Sequence, residues 1–266
     1  NEKLEAPEIL EERDGWPPNL TPDLRDVGVS VSRTEPSYRN YAEVREVEAL
    51  YCDAIKAARR FIYVENQYLT SNVVGEVLAQ RLEQEDGPEI LAVLPKKSSG
   101  WLEESTMDVL RARLLKHLHQ KDRFGRLAVY FPHKPGLRED CVNVHSKVLV
   151  VDNNFLRIGS SNLSNRSMGV DTECDLAIEA AGVERIEDAI GRFRDRLLGE
   201  HLGVSPEKIS EQIANKDSLL KAVGELRGDG RSLQPLDGNV PEILESLMQN
   251  PILIDPERPA DPDELI

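Results

Sequence analysis

Apolar residues along this chain follow two rhythms that take turns. Short unbroken runs at 61–64, 90–94 and 127–131 are too brief for helices and read as buried strands. Between them, Val44, Val47, Leu50, Tyr51, Ala54, Ile55 and Ala58 recur at three- and four-residue spacing, which predicts a helix over 42–59. Val73, Val77, Leu78 and Leu82 predict a second over 72–84, and a third fits 102–119. Further strands are expected over 142–151, 155–158 and 176–178, and a period-2 stretch suggests another at 27–32. Val183, Ile186, Ile190, Phe193 and Leu197 form one stripe of an amphipathic helix. Ser205 and Pro206 supply an N-cap and a first helical residue for a segment carrying Ile209 and Ile213, with Leu219, Leu220 and Val223 beyond. Strands alternating with helices imply an α/β sandwich with a largely buried sheet.

The ends break this rhythm. Residues 1–26 are acidic and hold scattered prolines, an extended lead-in; 27–203 carry the alternating pattern; 204–266 read as helical, then as an acidic, proline-rich tail or linker. With 33 basic and 48 acidic side chains the net charge is −15, which argues against a general nucleic-acid partner. Cys52, Cys141 and Cys174 are too few and too dispersed for a disulfide framework or a zinc site. No apolar stretch is long enough to span a membrane and no signal-peptide pattern is present, so a cytoplasmic location, or one peripheral to a membrane, is expected.

The chemistry concentrates in 144–175. His145 and Lys147 are two apart, so in a strand both side chains share one face. An imidazole beside an ammonium suits attack on a phosphodiester, the first making or breaking the covalent bond and the second stabilising phosphoryl charge. Ser160 and Asn162 could offer neutral donors to the same oxygens, and Glu173 could orient an imidazole. Alone, each has a plainer reading: a surface imidazole, a solvated ammonium, a turn. Weight comes from the fixed spacing of the whole run, His-x-Lys-x4-Asp-x6-Gly-Ser-x-Asn, from His145 through Asp152 and Gly159 to Asn162. Residues 141–170 hold Lys147, Arg157 and Arg166 against Asp152, a local net of +2 that suggests a focused basic pocket for a small anion.

This run resembles the signature of the phospholipase D superfamily. The likeness extends to Ile62-Tyr63-Val64-Glu65-Asn66-Gln67, similar to the Ile-Tyr-x-Glu-Asn-Gln segment of phospholipase D enzymes, and to Asn162 through Arg166, Ser167 and Met168. The resemblance covers about 27–200 and implies a mixed β-sheet flanked by helices on both faces. It implies metal-independent phosphodiester chemistry through a phosphohistidine, without a cofactor, at a site built from two His-x-Lys signatures. His145 would be the acid/base partner, Lys147, Ser160 and Asn162 phosphate ligands, Glu173 the orienting carboxylate, and Asp152 and Gly159 structural. Glu65, Asn66, Gln67 and Arg166 would line the pocket.

Only one signature is present. His119-Gln120-Lys121 meets Arg126 where an aspartate is required, so it reads as a helix end; His133-Lys134, Lys96 and Lys97 read as loop residues that could meet an anionic head group. His201 reads as surface, and Trp16 and Trp101 as packing residues. The leading expectation is therefore the carboxyl-terminal half of a phospholipase D-type enzyme acting on phospholipid, its second half lying upstream. The alternatives are a phosphatidyltransferase such as a cardiolipin or phosphatidylserine synthase, a homodimeric phosphodiesterase or nuclease, and a non-catalytic binding protein.

Overall fold

A computed structural model describes residue 17 and residues 19–39, 41–97, 101–137, 141–237 and 255–259, without the side chains of 101–105. Trp16, the side chain of Trp101, most of residues 1–26, and residues 238–254 and 260–266 lie outside the described residues. Nine strands form one sheet among the described residues: β1 (Ser30–Glu35), β2 (Val44–Arg45), β3 (Phe61–Glu65), β4 (Glu89–Val93), β5 (Leu127–His133), β6 (Val148–Val151), β7 (Phe155–Gly159), β8 (Glu173–Glu179) and β9 (Ser232–Pro235). Their order is β2-β1-β8-β7-β6-β3-β4-β5-β9. The pairs β3–β4 and β4–β5 are parallel and every other pair is antiparallel, so the sheet is mixed.

The helices are α1 (Glu46–Ala57), α2 (Asn72–Glu83), α3 (Trp101–Lys121), α4 (Asn165–Gly169), α5 (Glu184–Leu202), α6 (Pro206–Lys216) and α7 (Leu219–Leu226). The pleat of β3 explains how they layer. Ile62 and Val64 pack with α1, α2 and α3 in one core cluster; Phe61 and Tyr63 pack with α5, α6 and α7 in the other. A strand covered on both faces has no polar side to show, which is why 61–64 read as a continuous apolar run. Ser71, Ser205 and Ser218 cap α2, α6 and α7, each side chain accepting a backbone N–H of the first turn.

Several expectations are corrected. The predicted strand over 142–151 starts only at Val148, because β3 ends at its partner Glu65 and the chain beyond turns away, Thr70 and Ser71 donating their N–H groups to the Leu163 carbonyl. The predicted helix over 42–59 begins at Glu46, since Val44 and Arg45 pair with Glu35 and Thr34. The boundary at 203 does not divide the fold: α6 and α7 belong to the second core cluster, and β9 joins the sheet beside β5. Pro235 is tolerated there because β9 is an edge strand. Nor is 255–259 a free linker. Asp255 is buried, its carboxylate accepting from Thr70 Oγ1 (2.6 Å) and the Arg166 N–H (2.8 Å).

Candidate active site

Antiparallel pairing along β3, β6, β7 and β8 gathers distant segments at one end of the sheet. The carboxyl ends of β3 and β7 and the amino ends of β6 and β8 lie there together, Glu65 opposite Val148, Val148 opposite Ile158, and Gly159 opposite Asp175. Residues 65–67, 145–147, 159–162 and 173 are thus brought to one end of the sheet. The same pairing puts Lys96 and Lys97, on the loop that follows β4, and Lys134, just past β5, at this end too; His133, expected in a loop, is instead the last residue of β5 and pairs with Ser232. Arg111 shapes the first of these loops from below, its guanidinium donating to the carbonyls of Pro95 (2.9 Å) and Lys96 (3.1 Å).

Lys147 is buried, its ammonium 2.9 Å from the His145 carbonyl and 3.4 Å from Gln67 Oε1. Burial holds its pKa below the usual lysine value, with Glu173 pulling the other way. Beside it, Asn66 is fully buried and its Oδ1 accepts the N–H groups of Tyr68 (3.2 Å) and Leu163 (3.1 Å), tying the turn after β3 to the signature's second half. Asn66 Nδ2 and Asn162 Oδ1 are buried without a hydrogen-bond partner among the described residues. The His145 side chain is exposed.

Glu173 does not meet an imidazole among the described residues. Its Oε2 receives the Ser160 hydroxyl, while Ser160 Oγ accepts the Cys174 N–H at 3.0 Å. A hydroxyl has one proton to give, so this bond commits Ser160 to Glu173 and leaves Lys147 and the Asn162 amide as the free-handed donors. Asp152 sits at the far end of β6 with φ 52°, and its carboxylate accepts the N–H groups of Arg59 (3.1 Å), Arg60 (2.8 Å) and Phe61 (2.9 Å). It clamps the start of β3 to the end of β6. Gly159 allows the close approach of β8: a Cβ there would stand 2.0 Å from Asp175 Oδ1.

The basic pocket inferred from local charge is not what forms. Arg157 is fully buried behind the signature and pairs with the equally buried Asp175, its Nε 2.8 Å from Oδ2. It also donates to the Lys147 carbonyl (2.9 Å) and to Ser161, and its guanidinium stacks over the Tyr51 ring. Arg166 is spent on Asp171 in a two-pronged contact of 2.7 and 3.0 Å. Both acids lie just past the 141–170 window, which is why counting charge within it misled. Lys147 is the ammonium that stays with the signature.

His201 is the residue the sequence reading missed. It lies at the end of α5, largely buried, with Nε2 2.8 Å from Oε1 of the buried Glu65. The same carboxylate accepts the Tyr63 hydroxyl and, at 2.6 Å, the hydroxyl of Ser146. Burial raises the Glu65 pKa, but the bonds from His201, Ser146 and Tyr63 outweigh it and hold the group below its usual value. A signal existed: three residues past Leu198 and four past Leu197, His201 continues the apolar stripe of α5.

Among the described residues no group of three or more His, Cys, Asp or Glu could hold a metal ion, and no helix is long and apolar enough to cross a membrane. The family described as cardiolipin synthase, PLD-like domain, matches residues 51–195. A phospholipase D of Phytophthora infestans is 22% identical over 232 residues, spanning 66% of this chain but 12% of its own length. Among solved structures, the phosphatidylserine synthase of Haemophilus influenzae Rd KW20 aligns at 15% identity and TM-score 0.49 over 71% of this chain and 45% of that one. NucT from Helicobacter pylori aligns at 15% identity and TM-score 0.43 over 64% of this chain and 96% of that one. The family match takes in more than half of the sequence, including Glu65, His145, Lys147, Asn162 and Glu173, and the chain belongs to the phospholipase D superfamily through this PLD-like domain.

Proposed function

We propose that the chain supplies one signature-bearing half of a phospholipase D-type phosphodiesterase, cleaving or exchanging phospholipid head groups through a phosphohistidine. The observation that carries the reading is the gathering of His145, Lys147, Gln67 and Asn162 at one sheet end, with a buried ammonium whose hydrogen-bond partners are neutral acceptors. A cation held without a carboxylate bond keeps its charge available for an incoming anion.

In the first step an imidazole nitrogen of one signature attacks phosphorus and the P–O bond to the head-group alcohol breaks, the leaving oxygen taking a proton from the other signature's imidazolium. That second imidazole, now neutral, then takes a proton from water or an acceptor alcohol, whose oxygen attacks phosphorus and breaks the P–N bond. His145 serves as the acid and base. Lys147 and the Asn162 amide hold the non-bridging oxygens as charge builds on them. Glu173 fixes the Ser160 hydroxyl, and Asp152 fixes the frame. The attacking imidazole comes from a partner half, in the same longer chain or in another copy.

The test is to combine this chain with a second signature-bearing half and follow head-group release from phosphatidylcholine vesicles, with ethanol added to trap transfer. Release is expected with both halves present and should fall by about three orders of magnitude or more in His145→Asn. Failure of the combined protein to turn over any phosphodiester, with His145 intact, would overturn the reading.

A further inference from the structure

The first residues of the signature are poorly held by the backbone. Beyond Val148 the ladder to β3 stops, and what grips Lys147 from the other side is its carbonyl, bonded by the Gly159 N–H (3.3 Å) and by Arg157. For 145 and 146 another tie is needed. Ser146 supplies it by sending its hydroxyl to Glu65 Oε2 at 2.6 Å. Lys147 turns towards Gln67 on the turn after β3, while Ser146 reaches the carboxylate that α5 engages through His201.

Placing a carboxylate there is costly for a fold. Glu65 is 2% exposed, and a buried charge with its partners is generally less stabilising than apolar residues of the same volume. His201 adds to the cost, since its Nδ1 is buried with no partner among the described residues. An arrangement that is poor for stability, and whose side-chain hydrogen bond to the signature among the described residues goes to the residue between His145 and Lys147, serves placement of those two side chains. We propose that Glu65 and His201 are positioning residues, setting the His145–Lys147 segment through the Ser146 hydroxyl. The proposal deepens the phosphodiester reading above and rests on it.

His201 fixes Glu65 in turn. With Nε2–H donating to Oε1 and the Tyr63 hydroxyl on the same oxygen, Oε2 is left facing Ser146. Losing the imidazole frees the carboxylate to rotate, and the distance between His145 and Lys147 is then no longer set.

The test needs no second half. Inorganic phosphate is titrated into the protein while the ring 1H–13C signal of His145, assigned with His145→Asn, is followed by NMR. The parent protein should respond saturably. Ser146→Ala, which leaves Glu65 its two other donors and so keeps the fold, should weaken phosphate binding about tenfold. His201→Leu should do the same, and His201→Gln, whose amide reproduces the donor at Nε2, should recover most of the affinity at a similar melting temperature. A parent response with unchanged affinity in Ser146→Ala and His201→Leu would overturn the positioning role alone. No response of His145 in the parent would overturn the phosphate-site reading, and this proposal with it.

Discussion

Asp175→Asn isolates the charge of the Arg157–Asp175 pair with little change in volume. Both side chains are fully buried, and the carboxylate takes Arg157 Nε at 2.8 Å, the Ser161 hydroxyl at 2.6 Å and the Ser161 N–H at 3.2 Å. Every partner is a donor, so an amide must turn its NH2 against one of them, and Arg157 is left with an uncompensated charge. Breaking a buried pair in this way costs about 3–5 kcal/mol. For a fold of this size that is a fall in Tm of roughly 6–20 °C. Arg157→Met with Asp175→Leu removes both charges and leaves only the Lys147 carbonyl and the Ser161 polar groups short of partners. Its cost should be no greater than that of the single change, well below the sum of the two singles. Urea unfolding followed by circular dichroism, with the slope checked for constancy, measures Asp175→Asn and all four corners of the cycle formed by Arg157→Met and Asp175→Leu. A loss under about 1 kcal/mol for Asp175→Asn, or additive singles, would refute the reasoning.

Three further outcomes follow from the same contacts. Asp152→Ala removes the acceptor for three backbone N–H groups and leaves at φ 52° a residue without the short polar side chain that eases the left-handed region, so it should cost about 2–4 kcal/mol in urea unfolding, while Asp152→Asn should cost about half as much. Asp255→Ala strips Thr70 and the Arg166 N–H of a buried carboxylate and should lower stability by about 2 kcal/mol, read as a drop in Tm. Because Glu65 has a lowered pKa in the fold, its contribution is complete above the unfolded carboxyl value of about 4.3 and is lost as pH falls through the lower folded value. Unfolding free energies measured from pH 6 down to pH 3 should therefore fall more steeply in the parent than in Glu65→Gln, and parallel curves would count against it.

Legibility tracked whether a residue's partner was near in sequence or in kind. Runs such as 61–64 and the stripe of α5 announce themselves, because burial on two faces or on one leaves a mark on the residues concerned. The signature was legible from spacing alone. β9 was not, being four residues with a proline whose only warrant is the exposed edge of β5. Arg157 and Ile158 reversed the usual order: the arginine is inside because Asp175 and the Tyr51 ring await it, and the isoleucine is exposed. Nothing local to β7 announces that. Glu65, His201 and Ser146 come from three distant stretches, so their meeting depends on topology rather than on any pattern in one of them.

The insertion of β6, β7 and β8 between β1 and β3 has a consequence for how the protein assembles. The β3–α2–β4–α3–β5 unit closes through contacts between neighbours in sequence, whereas residues 30–34 of β1 wait for 173–177 of β8. Loop closure over such a span is slow relative to local pairing. Until the three strands arrive, β1 and β3 each present an unpaired hydrogen-bonding edge, and β3 is apolar on both faces. Those edges are where a partly folded chain would recruit a strand from a second molecule. Because the signature lies on the inserted strands, the step that seals the sheet against aggregation is also the step that brings His145 and Lys147 to Gln67.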